Sequence, residues 1–249
     1  MRTLRRFKAD LHIHTCLSPC GELTIYPRKI IDRALEEGLA MVAVTDHNSG
    51  ENAAAVQEAA RGTTLTVFPG MEITSEEEVH ILAVFETMDD LIPVQSEIFR
   101  KLPGEPLPDS IVKDQVLVNA QDEVTGFSRH CLMGAARMSV PEVVSLVHGA
   151  GGLAIAAHID REAFSLISQL GFLPPDLPVD GLEISPRMTV PLARAAYASC
   201  AHLPMVRFSD AHQPDDIGRP FTEFLLAVPA LSEIRMALRN SEGRRVIPS

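Results

Sequence analysis

Met41-Val42-Ala43-Val44-Thr45-Asp46-His47-Asn48 sets four apolar residues directly before a polar tail that carries a carboxylate and an imidazole. Such a run reads as a buried strand whose end emerges into a site. Asp46 and His47 point to opposite faces if the strand persists, so only one of them is aimed into that site. His47 is taken as the metal-facing residue and Asp46 as its support; a helix cap at Asn48 or Ser49 is compatible with this. Further short apolar strands are expected at Phe7–Thr15, Leu65–Phe68, Val79–Phe85, Leu153–Ala157, Gly181–Ser185, Met205–Ser209 and Phe224–Val228. Helices are expected at Pro27–Glu37, Glu51–Arg61, Val140–His148, Arg161–Leu170, Pro191–Cys200 and Leu231–Asn240. Pro27 and Pro141 suit first helical turns. Continuous apolar strands alternating with helices imply parallel strands covered on their faces. The expected fold is therefore α/β, a closed or nearly closed TIM-like barrel, with its functional groups at the C-terminal strand ends.

The 249 residues suit one such barrel. Apolar residues make up 46% and charged residues 22%, as in ordinary globular enzymes. No apolar run approaches the roughly 18 residues needed to span a bilayer. The basic stretch Met1 to Lys8 leads straight into a strand without an apolar core, so it does not read as a secretory signal. These features predict a cytoplasmic protein with no membrane partner. A net charge of -11 argues against binding of extended nucleic acid, while leaving room for a small nucleotide held by metals. Cys16, Cys20, Cys131 and Cys200 are expected to be reduced, and the lone C-x3-C spacing of Cys16 and Cys20 argues against a structural zinc knuckle. One domain over 1–249 is expected. The stretch 102–137, with Pro103, Gly104, Pro106, Pro108 and Gly126 and weak periodicity, reads as an insertion or lid.

Groups able to bind metal stand at or near the predicted strand ends. His12 and His14, two apart on a strand, share a face, and Asp10 lies deeper behind them. Glu72 follows Pro69-Gly70 and can bridge two cations. His80 stands just inside the next strand, where an unpaired imidazole would be costly, and His158 ends Leu153–Ala157. Asp210 and His212 repeat the same-face spacing. Neutral imidazoles with carboxylates favour zinc, manganese or iron. Eight candidate ligands, namely His12, His14, His47, Glu72, His80, His158, Asp210 and His212, exceed the needs of one ion and suit two or three divalent ions. Arg161, just past His158, is placed to pair with a phosphate oxygen; His130 in the lid is a further substrate contact, and Arg187 and Arg129 are weaker candidates. His148 and His202 lack the strand-end setting and read as structural or exposed.

In order, these residues resemble the motifs of the polymerase and histidinol phosphatase (PHP) family of metal-dependent phosphoesterases: H-x-H as His12 and His14, T-D-H as Asp46 and His47, a lone Glu72, His80, His158, and D-x-H as Asp210 and His212. The resemblance implies a distorted seven-stranded β/α barrel with up to three metals at its mouth. It implies His12, His14, Glu72 and Asp210 at the first metal, Glu72, His80 and His158 at the second, and His47 and His212 at the third. Relatives usually add a His or Asp to the third site a few residues beyond H-x-H. Here Cys16-Leu17-Ser18-Pro19-Cys20-Gly21-Glu22 fills that stretch, with Cys20 or Glu22 as possible substitutes. The expected reaction is hydrolysis of a small phosphorylated substrate, a phosphomonoester or small nucleotide, by metal-activated water that Asp210 helps to orient. The alternatives are hydrolysis of a C–N bond and a non-catalytic metal-binding module.

Overall fold

The structure, a computed structural model, describes residues 3–104, 107–108, 112, 114–174 and 176–247. The chain runs through β1 (Arg5–Ile13), α1 (Pro27–Glu36), β2 (Met41–Val44), α2 (Ala53–Ala59), β3 (Thr66–Thr74), β4 (His80–Val84) and α3 (Met88–Lys101). A small two-stranded sheet of β5 (Val116–Val118) and β6 (Val124–Phe127) follows. Then come α4 (Val140–Gly149), β7 (Leu153–Ala156), α5 (Leu166–Leu170), β8 (Gly181–Ile184), α6 (Val190–Ala196), β9 (Met205–Arg207), β10 (Thr222–Leu226), α7 (Leu231–Leu238) and β11 (Arg245–Ile247).

The main sheet has the order β11-β10-β1-β2-β3-β4-β7-β8-β9. It curls almost into a ring. Beyond β9, Ala211 bridges Ile13 at the end of β1, with His14 N donating to Ala211 O at 3.0 Å and Ala211 N to His12 O at 3.3 Å. Among the described residues the sheet has nine strands, and seven of them form the ring. The path from β1 through β9 makes the near-closed barrel, and β10 and β11 extend it as antiparallel strands beside β1. Nor is the sheet uniformly parallel: β4 runs against both β3 and β7. Ser75 N donates to Val79 O at 2.9 Å, closing a turn from β3 into β4 that is too short for a crossover helix, so a hairpin forms instead.

Period-2 alternation sorts the strand residues. Leu11, Met41, Ala43, Phe68, Leu82, Val84, Leu153, Ile155, Val206 and Phe208 cluster inside the ring. Their neighbours Val42, Val44 and Val67 pack outward with Ile30, Ala34, Ala53 and Val56 of α1 and α2. Ile81, Ala83, Ala154 and Ala156 pack outward with residues of α3, α4 and α5. A register shift between Asp10 and Ile13 breaks the alternation in β1: Ala9 and Leu11 belong to the interior cluster, but Ile13 to the layer under α1. A bulge of this kind re-aims side chains, here turning His12 and His14 toward the mouth.

β3 is longer than the sequence pattern suggests and carries Pro69 and Gly70 within it. A Cβ on Gly70 would stand 2.6 Å from Ala83 O and 3.0 Å from Thr45 Cγ2, so only glycine lets the three strands approach. α3 falls in a region where no helix is expected; Thr87 caps it by accepting from Asp90 N, and Leu91, Val94 and Ile98 face the core. In the stretch 102–137, residues 105, 106, 109–111 and 113 lie outside the described residues. The described part contains β5 and β6 and is tied to the barrel through Asn48 Nδ2, which donates to Leu132 O at 2.8 Å and Gly134 O at 2.9 Å. Among the described residues no helix is long and apolar enough to cross a membrane.

Candidate metal centre

The apolar interior of the ring gives way to histidines and carboxylates at one end. His12 and His14 arrive from the end of β1, and His47 from just past β2, bridged in parallel to Glu72 of β3. His80 opens β4, so it reaches the same end only because that strand runs in reverse. His158 follows β7, and Asp210 and His212 lie beyond β9. Asn48, His158 and Asp210 all take positive φ (51°, 29° and 51°), a conformation that costs non-glycine residues energy and that turns the chain sharply at the mouth.

Glu72 is the hub. Its Oε1 lies 2.8 Å from His80 Nδ1, 3.1 Å from His158 Nε2 and 3.4 Å from His12 Nε2. Its Oε2 lies 2.9 Å from His47 Nδ1 and 3.5 Å from His14 Nε2. Asp210 Oδ1 is 3.1 Å from Nε2 of both His12 and His14. Among the described residues, three groups have mutually close donor atoms: His12, His14, Glu72 and Asp210; His47, Glu72 and His80; and His14, His47 and His212. These groups take in seven of the eight candidate ligands from the sequence. His158 approaches through Glu72, and its Nδ1 is buried with no hydrogen-bond partner. The imidazole nitrogens and carboxylate oxygens of the three groups are a donor set that fits a divalent cation.

The supports are equally specific. Glu183, on the inner face of β8, takes His12 Nδ1–H at 3.0 Å and His158 N at 2.9 Å, leaving His12 Nε2 to face the cluster. Sequence reading missed it; the available signal was a single acid inside the apolar strand Gly181–Ser185. Asp46 turns away as expected, accepting from Thr15 N at 2.7 Å and Ser18 Oγ at 2.7 Å. Ser18 Oγ in turn lies 2.9 Å from His14 Nδ1 and accepts from His47 N at 3.2 Å. Asp10 stands behind the site, accepting from Ser209 N at 3.0 Å and Gly218 N at 2.8 Å. Burial pushes its carboxyl up to about 6 despite those hydrogen bonds.

Electrostatically the cluster is self-compensating. Burial opposes ionisation of Glu72, yet the imidazoles of His80, His12 and His47 hold it well below the usual carboxylate range. Asp210 is likewise held low against burial, by His12 and His14. Burial and the neighbouring His212 keep His14 well below its ordinary value, in the neutral form a metal requires.

Arg161 sits at the rim, where its guanidinium pairs with Asp210 Oδ2. His130 is exposed and stacked on Phe99 of α3, with ring centroids 3.7 Å apart, rather than turned to the cluster. Arg187 is exposed. His148 pairs with Asp180 at 2.8 Å and takes no part in the cluster.

A near-closed α/β barrel with this donor set at its mouth defines a metal-dependent hydrolase. The PHP domain family matches residues 10–157, and the chain belongs to it. The chain is similar to the 5'-3' exoribonuclease Rnm of Escherichia coli strain K12, 24% identical over 82% of this chain and 85% of the relative. Its fold is similar to that of the lesion-specific endonuclease Q of Pyrococcus furiosus (TM-score 0.73, 18% identity), covering 97% of this chain and 58% of that one. It also resembles an amidohydrolase from Chromobacterium violaceum with bound sulfate (TM-score 0.58, 21% identity, 84% of this chain and 89% of that one).

These likenesses overturn one expectation. Net charge had argued against extended nucleic acid, yet the exoribonuclease acts on RNA by name, and endonuclease Q has been solved with a 27-mer duplex substrate. A formal sum over 249 residues says little about the field at the barrel mouth, where metals would add positive charge beside Arg161.

Proposed function

We propose that this chain hydrolyses phosphodiester bonds at the end of a short nucleic-acid strand. The observation that carries the reading is the cluster of eight ligand-type side chains, in which five imidazoles lie within 3.5 Å of Glu72, with the Arg161 cation at their rim. The similarity to an exoribonuclease over most of both chains supports the choice of substrate.

In this reading His12, His14, Glu72 and Asp210 hold one divalent ion, Glu72, His80 and His158 a second, and His47 and His212 a third, with zinc, manganese and iron as the fitting metals. When bound, such ions supply an activated water and neutralise charge on a phosphoryl group. Asp210, kept ionised beside His12 and His14, orients the attacking water by accepting its hydrogen bond. Arg161 exchanges Asp210 for a non-bridging phosphate oxygen, where a planar guanidinium binds in bidentate fashion. Glu183 holds the His12 ring and the His158 backbone fixed throughout.

The test is a panel of 5'-phosphorylated RNA and DNA oligonucleotides, mononucleotides and amide substrates, with the protein loaded in turn with zinc, manganese and iron. Stepwise release of mononucleotides, lost in Asp210→Asn, is the expected result. Phosphate release from mononucleotides alone would shift the substrate to monoesters. No turnover of any phosphoester with any metal would overturn the reading.

A further inference from the structure

We propose that Cys20 is a metal ligand, giving the third ion of the centre a thiolate alongside His47 and His212. The proposal rests on reading the cluster as a metal centre and adds a donor of a different chemical kind. Cys20 Sγ lies 3.1 Å from His47 Nε2, and its loop is tied to His212 through Glu22 N and His212 O.

Both histidines are oriented for it. His47 Nδ1 is engaged by Glu72 Oε2 at 2.9 Å, and His212 Nδ1 by Asp210 O at 2.8 Å. Each ring therefore has its Nε2 left for a metal, in the way ligand histidines are ordinarily fixed by an acceptor on the other nitrogen. The third ring of that group, His14, has its Nδ1 on Ser18 and its Nε2 turned to Asp210, so it is committed to the first ion. A tetrahedral ion with only His47 and His212 would be short of protein donors, and Cys20 completes a set of three with one open position.

The loop that carries the thiol is built to hold it there. Glu22 N donates to His212 O at 2.8 Å, so the loop is tied to the residue whose ring it faces. Gly21 N donates to Ser18 O at 2.8 Å, and a Cβ at Gly21 would stand 2.9 Å from Thr15 O, so the tight turn demands glycine beside the cysteine. The other candidates in the loop drop out. Pro19 has no donor atom, Glu22 is exposed with its carboxylate on Thr24 Oγ1 at 2.9 Å, and buried Cys16 faces Val116 O. On binding, the thiol gives its proton to solvent and the sulfur forms the metal bond. A donor set with sulfur favours zinc, iron or cobalt over manganese and magnesium at this position, in contrast to the nitrogen and oxygen sets around Glu72.

Cobalt titration of the full chain tests this, read by absorption and by metal content. The expected result is three bound equivalents, with a thiolate-to-cobalt charge-transfer band that grows only with the last. Cys20→Ser loses the band; Cys20→Asp keeps the third equivalent without it. In parallel, Cys20 in the loaded wild type resists alkylation by iodoacetamide, and in the metal-free protein it reacts, as read by peptide mass. Cobalt bound without the band, or Cys20 alkylated equally with and without metal, would overturn the proposal while leaving the centre around Glu72 standing. No bound cobalt at all would overturn the metal-centre reading itself.

Discussion

Glu183→Gln isolates the contribution of a group that touches no predicted metal yet holds two ligands. The carboxylate is buried, takes His12 Nδ1–H at 3.0 Å on both oxygens and takes His158 N at 2.9 Å. Glutamine keeps the shape and one acceptor oxygen, so one of the two donors keeps a partner and the other meets an amide NH2. A hydrogen bond to a charged partner contributes about 1.5–3 kcal/mol. At about 1.4 kcal/mol per factor of ten, its loss corresponds to about 10–100-fold in metal affinity, the range found for other groups that orient metal ligands. The assay is competition for zinc against a chromophoric chelator, paired with steady-state oligonucleotide hydrolysis and circular dichroism to verify the fold. Exposed Glu162→Gln serves as the control. If Glu183→Gln bound zinc as tightly as the wild type, the claim that this carboxylate sets the His12 ring would fail, and the reading of the cluster would lose its best-defined support.

Arg161→Gln removes the rim cation that pairs with Asp210; kcat/KM is expected to fall about 10–100-fold with metal content unchanged, since one charged contact to the substrate is lost. Gly70→Ala forces a Cβ to within 2.6 Å of Ala83 O; urea unfolding is expected to show a loss of about 1–3 kcal/mol, typical of overpacking. Burial, reinforced by nearby Asp46, pushes the Cys16 thiol up to about 12. A raised thiol pKa means less thiolate at every pH below it, so native Cys16 should stay unmodified by iodoacetamide at about pH 8 and react only on unfolding, a difference read by mass spectrometry.

Much of the site was legible because side chains alternate along a strand. Residues two apart share a face, so His12 with His14 and Asp210 with His212 could be paired from the sequence alone, and Asp46 could be told from His47. What escaped was set by the direction and closure of strands. His80 is legible as a ligand candidate, but the β3–β4 hairpin that brings the first residue of a strand to the common end is not. Glu183 looks like a stray charge until β8 is known to show that face to the inside of the ring. α3 is hard to read because Pro93 stands inside a helix whose buried positions, Leu91, Val94 and Ile98, do keep helical spacing. Arg161 was placed at the mouth, but its pairing with Asp210 depends on a turn at positive φ that the sequence does not signal. The charge balance misled because a total carries no position.

The bridge from Ile13 to Ala211 also has a temporal meaning. The ligands enter the chain early, at His12, and late, at His212, so a nascent polypeptide carries its first histidines long before their partners have been synthesised. Metals that join such distant positions offset the closure entropy of most of the chain at once. Uptake of metal is then a signature of a finished ring. A product truncated before Asp210 lacks part of the first ligand group and the strand end that seals the barrel.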